Sequence, residues 1–261
     1  MAVHMKMEER LKNKTIGIVL SGGGIKGMAH VGILKALMEH QIYPDVISGV
    51  SAGAIVGALY ANGIAPSEML VIFKETPLLK YNFLTISKAG LFDTKEYIAF
   101  FRKYFPVDMF EALEKKLFVV ATDLQNGSSK FFSSGSLLKA VLASAALPPV
   151  FNPVSINGRL YADGGIMNNF PIEPLKTTTD YIIGSYTSSM KDVGIGVLKN
   201  QLELTQRTKL LMLHSNAVNK LQYANLMFMP KELYHLDVLD PKGIYKAYII
   251  GYEHASRILD S

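Results

Sequence analysis

The 261-residue chain contains no cysteine and no tryptophan. The lack of cysteine excludes disulfides, thiolate metal sites and cysteine nucleophiles, and it is compatible with a reducing compartment. Charged residues make up only 19% of the chain and apolar residues 49%, so a disordered chain or a coiled coil is excluded. Any covalent chemistry must therefore use oxygen or lysine side chains.

A strong net charge is also missing. The chain has 27 Lys and Arg against 22 Asp and Glu, a formal charge of +5. This small, dispersed excess predicts no nucleic-acid partner but is compatible with anionic substrates or a membrane surface. Residues 1–14 are polar and lack the apolar centre of a signal peptide. We therefore expect a cytoplasmic location, with peripheral membrane contact compatible with the charge.

One uncharged stretch, between Asp45 and Glu68, imitates a membrane span. It is interrupted by Gly49, Asn62 and Pro66, and it lacks the flanking aromatic and lysine anchors of a true span. A buried strand, turn and helix is the favoured interpretation.

The hydrophobic pattern alternates between strands and helices. Strands are expected at residues 15–21, 45–49, 116–121, 129–132, 159–162 and 180–185, and helices at 28–41, 52–61, 67–75, 94–104 and 136–145. From about Asp192, helices are expected over 197–229 and 243–259, with a strand over 233–238 between them. The pattern predicts an α/β fold with a mainly parallel central sheet flanked by helices. We expect one domain over 15–190 and a helical C-terminal extension over 191–261 packed on it.

The first predicted strand runs into a glycine-rich loop, GGGIKG at residues 22–27. Its spacing fits a dinucleotide-binding loop, which needs an acidic residue at the carboxyl end of the second strand. Asp45 has nearly the right spacing, but it begins that strand instead of ending it. A nucleotide-binding protein therefore remains only an alternative. Lys26 could support an anionic site or merely pack its stem on the surface.

The carboxyl end of the second strand carries GVSAG at residues 49–53, the pattern of a nucleophile elbow. Glycines beside Ser51 leave room for a strained turn that exposes its Oγ. If the first two strands are parallel and close, the glycine loop lies beside Ser51, and its N–H groups can bind an oxyanion.

A serine nucleophile needs a base. Five of the six histidines sit where a surface or core position is the better interpretation, and His4 lies at the frayed N-terminus. His214, His235 and His254 have the chain order of a Ser-Asp-His triad, so that triad stays an alternative. Asp163 follows a short strand and precedes two glycines, although Asp-Gly alone is also good turn chemistry.

Together, GGGIKG at 22–27, GVSAG at 49–53 and DGG at 163–165 resemble the patatin-like phospholipase family. Further matches are TDL at 122–124, ASAALP at 143–148 and NNFP at 168–171, so the likeness runs from about Thr15 to Leu175. The resemblance implies hydrolysis of phospholipid, lysophospholipid or similar lipid esters without metal or cofactor. It implies that Ser51 is the nucleophile and Asp163 the base. The oxyanion hole would comprise the amides of Gly22, Gly23 and Gly24, with electrostatic support from Lys26 and structural support from Gly27, Gly49, Gly53, Gly164 and Gly165.

We expect Asp163 to have an ordinary pKa of about 3.9. A catalytically idle lipid-binding module is a third hypothesis. Two apolar stretches, residues 77–92 and 226–229, are candidates for a flap or a membrane contact, with core packing the better interpretation of both.

Overall fold

A computed structural model of the chain describes residues 7–76, 94–148, 151–236, 238 and 240–261. The flap candidate at 77–92 lies outside the described residues. Within them, no helix combines the length and the apolar character needed to cross a bilayer.

In the described ranges, a mixed sheet of eight strands forms the centre of the fold. Its strands are β1 (Ile16–Leu20), β2 (Val46–Val50), β3 (Lys116–Asp123), β4 (Ser128–Phe132), β5 (Val154–Ile156), β6 (Arg159–Asp163), β7 (Tyr181–Ser185) and β8 (Leu226–Phe228). Their order is β5-β6-β3-β2-β1-β7-β8, with β4 paired to β3. Strands β3, β2, β1, β7 and β8 run parallel, whereas β4 and β6 run antiparallel to β3. The expected α/β fold with a mainly parallel sheet is confirmed.

Eight α-helices accompany the sheet in the described part of the chain. They are α1 (Met7–Leu11), α2 (Met28–Glu39), α3 (Ala52–Ala61), α4 (Pro66–Glu75), α5 (Thr94–Phe101), α6 (Leu137–Ala145), α7 (Gln201–Ser215) and α8 (Gly243–Leu259). The predicted helices between residues 28 and 145 are all present, each within three residues of the expected ends.

Both faces of the sheet are covered, which explains the unbroken apolar run of β1. Ile18 and Leu20 point into the larger core shared with the helices, while Val19 points into a smaller core with Phe170 and Ile172. These three side chains of β1 are completely buried. Burial on both sides is the usual condition of parallel strands.

The C-terminal part differs from the expectation in two places. The predicted helix over 197–229 is wrong: α7 ends at Ser215, and a 3-10 turn at Val218–Tyr223 leads into β8. The predicted strand at 233–238 is also wrong, since a 3-10 helix occupies Lys231–His235. The open edge of β7 explains the first difference, because β8 satisfies it in a parallel ladder from Ile183 to Ser185.

The C-terminal part is therefore not purely helical. Strand β8 extends the sheet, and α8 packs closely on α2. The division into 15–190 and 191–261 stays a prediction.

Candidate active site

Ser51 lies on the turn between β2 and α3, at the carboxyl edge of the parallel strands. Its φ of 53° and ψ of −124° are unusual for a residue with a side chain. The turn needs glycine nearby, because a Cβ at Gly53 would collide with the carbonyl oxygen of Leu20, and one at Gly49 would lie 2.6 Å from the Gly53 oxygen. These contacts give GVSAG the geometry of a nucleophile elbow.

Asp163 ends β6 and faces Ser51. The β2–β3 register pairs Val50 with Val120, and the β3–β6 register pairs Ala121 with Asp163, so the sheet places Asp163 level with Ser51. Ser51 Oγ donates a hydrogen bond to Asp163 Oδ2 at 2.7 Å, and Gly165 N donates to Oδ1 at 2.7 Å.

Burial raises the pKa of Asp163 to about 6, and the hydrogen bonds from Ser51 and Gly165 oppose that rise. The expected pKa of 3.9 is therefore corrected upward. The sequence could not reveal this shift, since burial is a tertiary property.

Two short motifs hold the elbow and the aspartate in place. Ser144 lies in the last turn of α6, and its Oγ accepts a hydrogen bond from the Ser51 amide at 2.9 Å. Thr122 on β3 donates its hydroxyl to the Asp163 carbonyl at 2.8 Å. Both side chains are buried, and both belong to motifs noted in the sequence without an assigned task.

The glycine loop lies directly beside Ser51. A Cβ at Gly22 would be 3.3 Å from the Ser51 Cβ, and Gly24 has a φ of +57°, where glycine is favoured. The Gly22 N–H donates to Asn169 Oδ1 at 3.2 Å, so it is already occupied. The N–H groups of Gly23 and Gly24 donate to no group in the described part of the chain.

Lys26 is buried at 6% exposure and lines the same cavity as Ser51, so the surface-packing interpretation does not fit. Its Nζ lies 5.9 Å from the ring centre of Tyr234. Gly27 and Gly164 are sites of close packing: a Cβ at Gly27 would lie 2.5 Å from that of Ala52, and one at Gly164 would strike the Val120 carbonyl.

The histidines of the described residues all have other partners than Ser51 and Asp163. His30 is buried between Ser185 and Ser21, and burial lowers its pKa to about 4. His214 Nδ1 pairs with the Tyr186 hydroxyl at 2.9 Å, and His254 Nε2 accepts from Met229 N at 3.2 Å. The remaining two are His40, bonded to Ala36 and Asp260, and His235, against the Tyr234 ring.

Asp45, the candidate for a nucleotide ribose, lies at the opposite edge of the sheet. Its Oδ2 accepts from the Ile16 amide at 2.8 Å, at the amino end of β1. The glycine loop follows the carboxyl end of β1, so Asp45 and the loop do not form one site. In the described ranges, no three carboxylate or imidazole side chains converge as a metal site requires.

A largely apolar cavity opens over Ser51 and Asp163. Helices α2, α3 and α4 contribute Met28, Ile55 and Phe73 to its wall. The segment after β7 contributes Ser188 and Met190, and α7 contributes Leu210 and Leu213. The C-terminal part of the chain therefore completes a cavity whose polar floor comes from the motifs.

Sequence reasoning missed several residues that contact the site. Thr187 and Ser188 bind the Gly22 carbonyl, and Asn216 accepts from the Asn169 amide while donating to the Gly165 carbonyl. The available signal was the run of small polar residues, TSS at 187–189, which begins one residue after the parallel strand β7.

A mainly parallel sheet flanked by helices, with a serine on a strained strand-to-helix turn, defines the class of proteins built around a nucleophile elbow. The patatin-like phospholipase family model matches residues 18–176, more than half of the sequence. The chain belongs to the patatin-like phospholipase family.

Individual relatives extend this comparison. An uncharacterized NTE family protein of Mycobacterium bovis is 33% identical over 162 residues, which cover 61% of this chain and 45% of the relative. A lysophospholipase, NTE1, of Meyerozyma guilliermondii is 24% identical over 287 residues, covering 98% of this chain and 20% of the relative. The chain thus spans less than half the length of these curated relatives.

A crystal structure of VipD from Legionella pneumophila superposes with a TM-score of 0.57 at 16% identity, covering 94% of this chain and 67% of that one. At this identity the likeness shows the fold alone.

Proposed function

We propose that the chain is a serine hydrolase that cleaves acyl esters of lipids, phospholipid or lysophospholipid, through a Ser51–Asp163 dyad. The observation that carries the proposal is the 2.7 Å hydrogen bond from Ser51 Oγ to Asp163 Oδ2 at the base of an apolar cavity. Membership of the patatin-like phospholipase family supports a lipid ester as the substrate.

In the first half of the reaction, Ser51 Oγ attacks the ester carbonyl while its proton passes to Asp163 Oδ2. With a pKa of about 6, the carboxylate is ionised at pH 7 and is a stronger base than an exposed aspartate. Collapse of the tetrahedral intermediate returns that proton to the leaving alcohol and leaves an acyl-enzyme. Water activated by Asp163 then releases the fatty acid and restores the Ser51 hydroxyl.

The oxyanion of the intermediate would be bound by the amides of Gly23 and Gly24. Gly22 was expected to contribute as well, but its N–H is held by Asn169, so we restrict the proposed hole to two donors. Such donors typically each supply about 2.7–4 kcal/mol of transition-state stabilisation. The buried Lys26 would add positive charge to the same cavity. Because these groups supply the chemistry, the mechanism needs no metal or cofactor.

The alternatives have less support. A Ser-Asp-His triad has no imidazole in hydrogen-bond contact with Ser51 or Asp163 among the described histidines. A nucleotide site lacks its acidic partner, because Asp45 lies at the far edge of the sheet. An idle lipid-binding module is distinguished from an enzyme by the following experiment.

The test measures release of p-nitrophenol from acyl esters and covalent labelling by a fluorophosphonate, with peptide mapping. Wild type should hydrolyse the ester and be labelled at Ser51. Ser51→Ala and Asp163→Asn should each lower kcat by about 10³-fold or more. His214→Ala is the matched control and should retain turnover. Activity that survives Asp163→Asn but not His214→Ala would replace the dyad with a triad. A wild type without turnover or labelling would favour the catalytically idle lipid-binding module.

We further propose peripheral contact with an anionic membrane through α7 and the loop before it. Met212 on α7 is exposed, and Ile195 is 92% exposed between two glycines. Lys191, Lys199, Arg207 and Lys209 outnumber Asp192 and Glu203 over residues 191–215. Because Leu210 and Leu213 of the same helix line the cavity, a lipid could pass from this face towards Ser51. A cytoplasmic location stays a prediction.

A further inference from the structure

The carbonyl oxygen of Gly22 receives an unusual number of hydroxyl donors. Thr187 Oγ1 and Ser188 Oγ each donate to it at 2.9 Å, and Ser21 Oγ donates at 3.1 Å. The three side chains are buried, with exposures of 1%, 6% and 0%. Thr187 and Ser188 follow β7 and lie beyond residue 176, where the family match ends.

The peptide bond between Gly22 and Gly23 links this carbonyl to a cavity amide. A trans peptide is planar, so the Gly23 N–H points opposite to the Gly22 C=O. Hydroxyls on one side of the bond therefore fix the direction of the N–H on the other side. Gly23 lines the cavity that contains Ser51 and donates to no group in the described part of the chain.

We propose that Thr187 and Ser188 are positioning residues for the oxyanion hole: their hydroxyls hold the Gly22 carbonyl and thereby orient and polarise the Gly23 N–H. The inference rests on the proposed function, since an oriented N–H matters only if an oxyanion forms beside it. Donation to the carbonyl also makes the amide a stronger donor through cooperative polarisation. A preoriented donor needs no reorganisation during the reaction.

The surrounding contacts make the hydroxyls a fixed platform. Thr187 N donates to Ser21 Oγ at 2.9 Å. His30 Nε2 donates to the Ser21 carbonyl at 2.8 Å, because a carbonyl can only accept, and His30 Nδ1 then accepts from Ser185 Oγ at 2.6 Å. The ends of β1 and β7 are thus joined below the glycine loop. The Gly22 residue is held at its carbonyl by these hydroxyls and at its N–H by Asn169.

The test combines Thr187→Val, which keeps the side-chain shape, with Ser188→Ala. We expect kcat to fall about 10-fold for each single variant and about 100-fold for the pair. Removal of a whole oxyanion donor typically lowers kcat by about 10²–10³-fold, so the pair should approach the lower end of that range. KM should change less than about 3-fold. Affinity for an alkyl trifluoromethyl ketone, whose adduct on Ser51 carries an oxyanion, should fall by the same factor as kcat. Thr187→Ser retains the hydroxyl and should stay within about 3-fold of wild type.

Ser48→Ala is the control for the loss of a buried hydroxyl, since Ser48 Oγ donates to the Pro171 carbonyl and not to the glycine loop. It should lower Tm without changing ketone affinity. If wild type is active and the paired variant keeps both wild-type kcat and ketone affinity, this inference is overturned while the dyad stands. If the pair does not fold, the single variants Ser188→Ala and Thr187→Val decide by the same two measurements. A wild type without turnover or Ser51 labelling overturns the dyad and the inference together.

Discussion

Among single residues, Asp163 has the environment that matters most for the proposed chemistry. It is 5% exposed, and its pKa is about 6 because burial disfavours the charged form. The bond from Ser51 keeps the carboxylate oriented for proton transfer. A base with a pKa close to the working pH accepts a proton more readily, while it remains mostly ionised at pH 7.

The pH dependence of turnover should report this carboxyl group. Only the ionised form can accept the Ser51 proton, so kcat/KM should rise with pH through about 6 and fall about tenfold per unit below pH 5. A pH series of p-nitrophenyl ester hydrolysis measures the curve, and fluorophosphonate labelling of Ser51 should follow it. An inflection near 4 would contradict the burial of Asp163.

At the scale of elements, the sequence predicted the parts whose pattern is local. The apolar run of β1 and the glycines beside Ser51 each indicate their structure through neighbouring residues alone. The boundary at Ser215 and the strand β8 depend on contacts with distant segments. Asn225, for example, accepts a hydrogen bond from Ile182 on β7 at 2.7 Å, which no local pattern indicates.

The site shows the same division. Ser51 and Asp163 stand in recognisable motifs, but their 2.7 Å contact depends on the registers of β2, β3 and β6. Two of the three hydroxyls that donate to the Gly22 carbonyl belong to Thr187 and Ser188, which lie 165 and 166 positions away in the chain. Such long-range contacts carry no periodic signal, so their members could not be assigned in advance.

The packing of α2 against α8 gives a prediction at this scale. A Cβ at Gly251 would collide with the Ala29 carbonyl, and one at Gly32 would collide with the Tyr248 carbonyl, so the two backbones approach closely. Glycine to alanine inside a helix normally stabilises by about 1 kcal/mol. Here overpacking should reverse the sign, and Gly251→Ala should lower the free energy of unfolding by about 1–3 kcal/mol, measured by urea denaturation.

Gly194→Ala provides the comparison. Gly194 has a φ of −66° and open space around its Cβ position, so its replacement should change the free energy of unfolding by less than about 0.5 kcal/mol. Equal stability of the Gly251→Ala variant and wild type would mean that α8 packs less closely on α2 than described.

At the scale of the whole molecule, the cavity joins the part that matches the family with the part that does not. Its floor comes from the glycine loop, Ser51 and Asp163, and one wall comes from α7 and the segment after β7. The same helix exposes Leu211 and Met212 on its outer side. Exposed apolar side chains with nearby lysines are typical of surfaces that contact membranes.

Vesicle binding tests this surface. Ile195 and Met212 should enter the headgroup region, where burial of each side chain contributes about 1.5–3 kcal/mol. Ile195→Ser with Met212→Ser should therefore weaken sedimentation with phosphatidylcholine and phosphatidylglycerol vesicles at least about 10-fold, while hydrolysis of a dispersed p-nitrophenyl ester stays unchanged.

Wild-type binding should also weaken in high salt, because lysines attract the anionic lipid. Tyr43→Ser is the control, since Tyr43 is also an exposed large side chain, at 49%, but precedes β2 at the opposite edge of the sheet. Unchanged binding of the double variant, or an equal loss in Tyr43→Ser, would contradict a contact through α7.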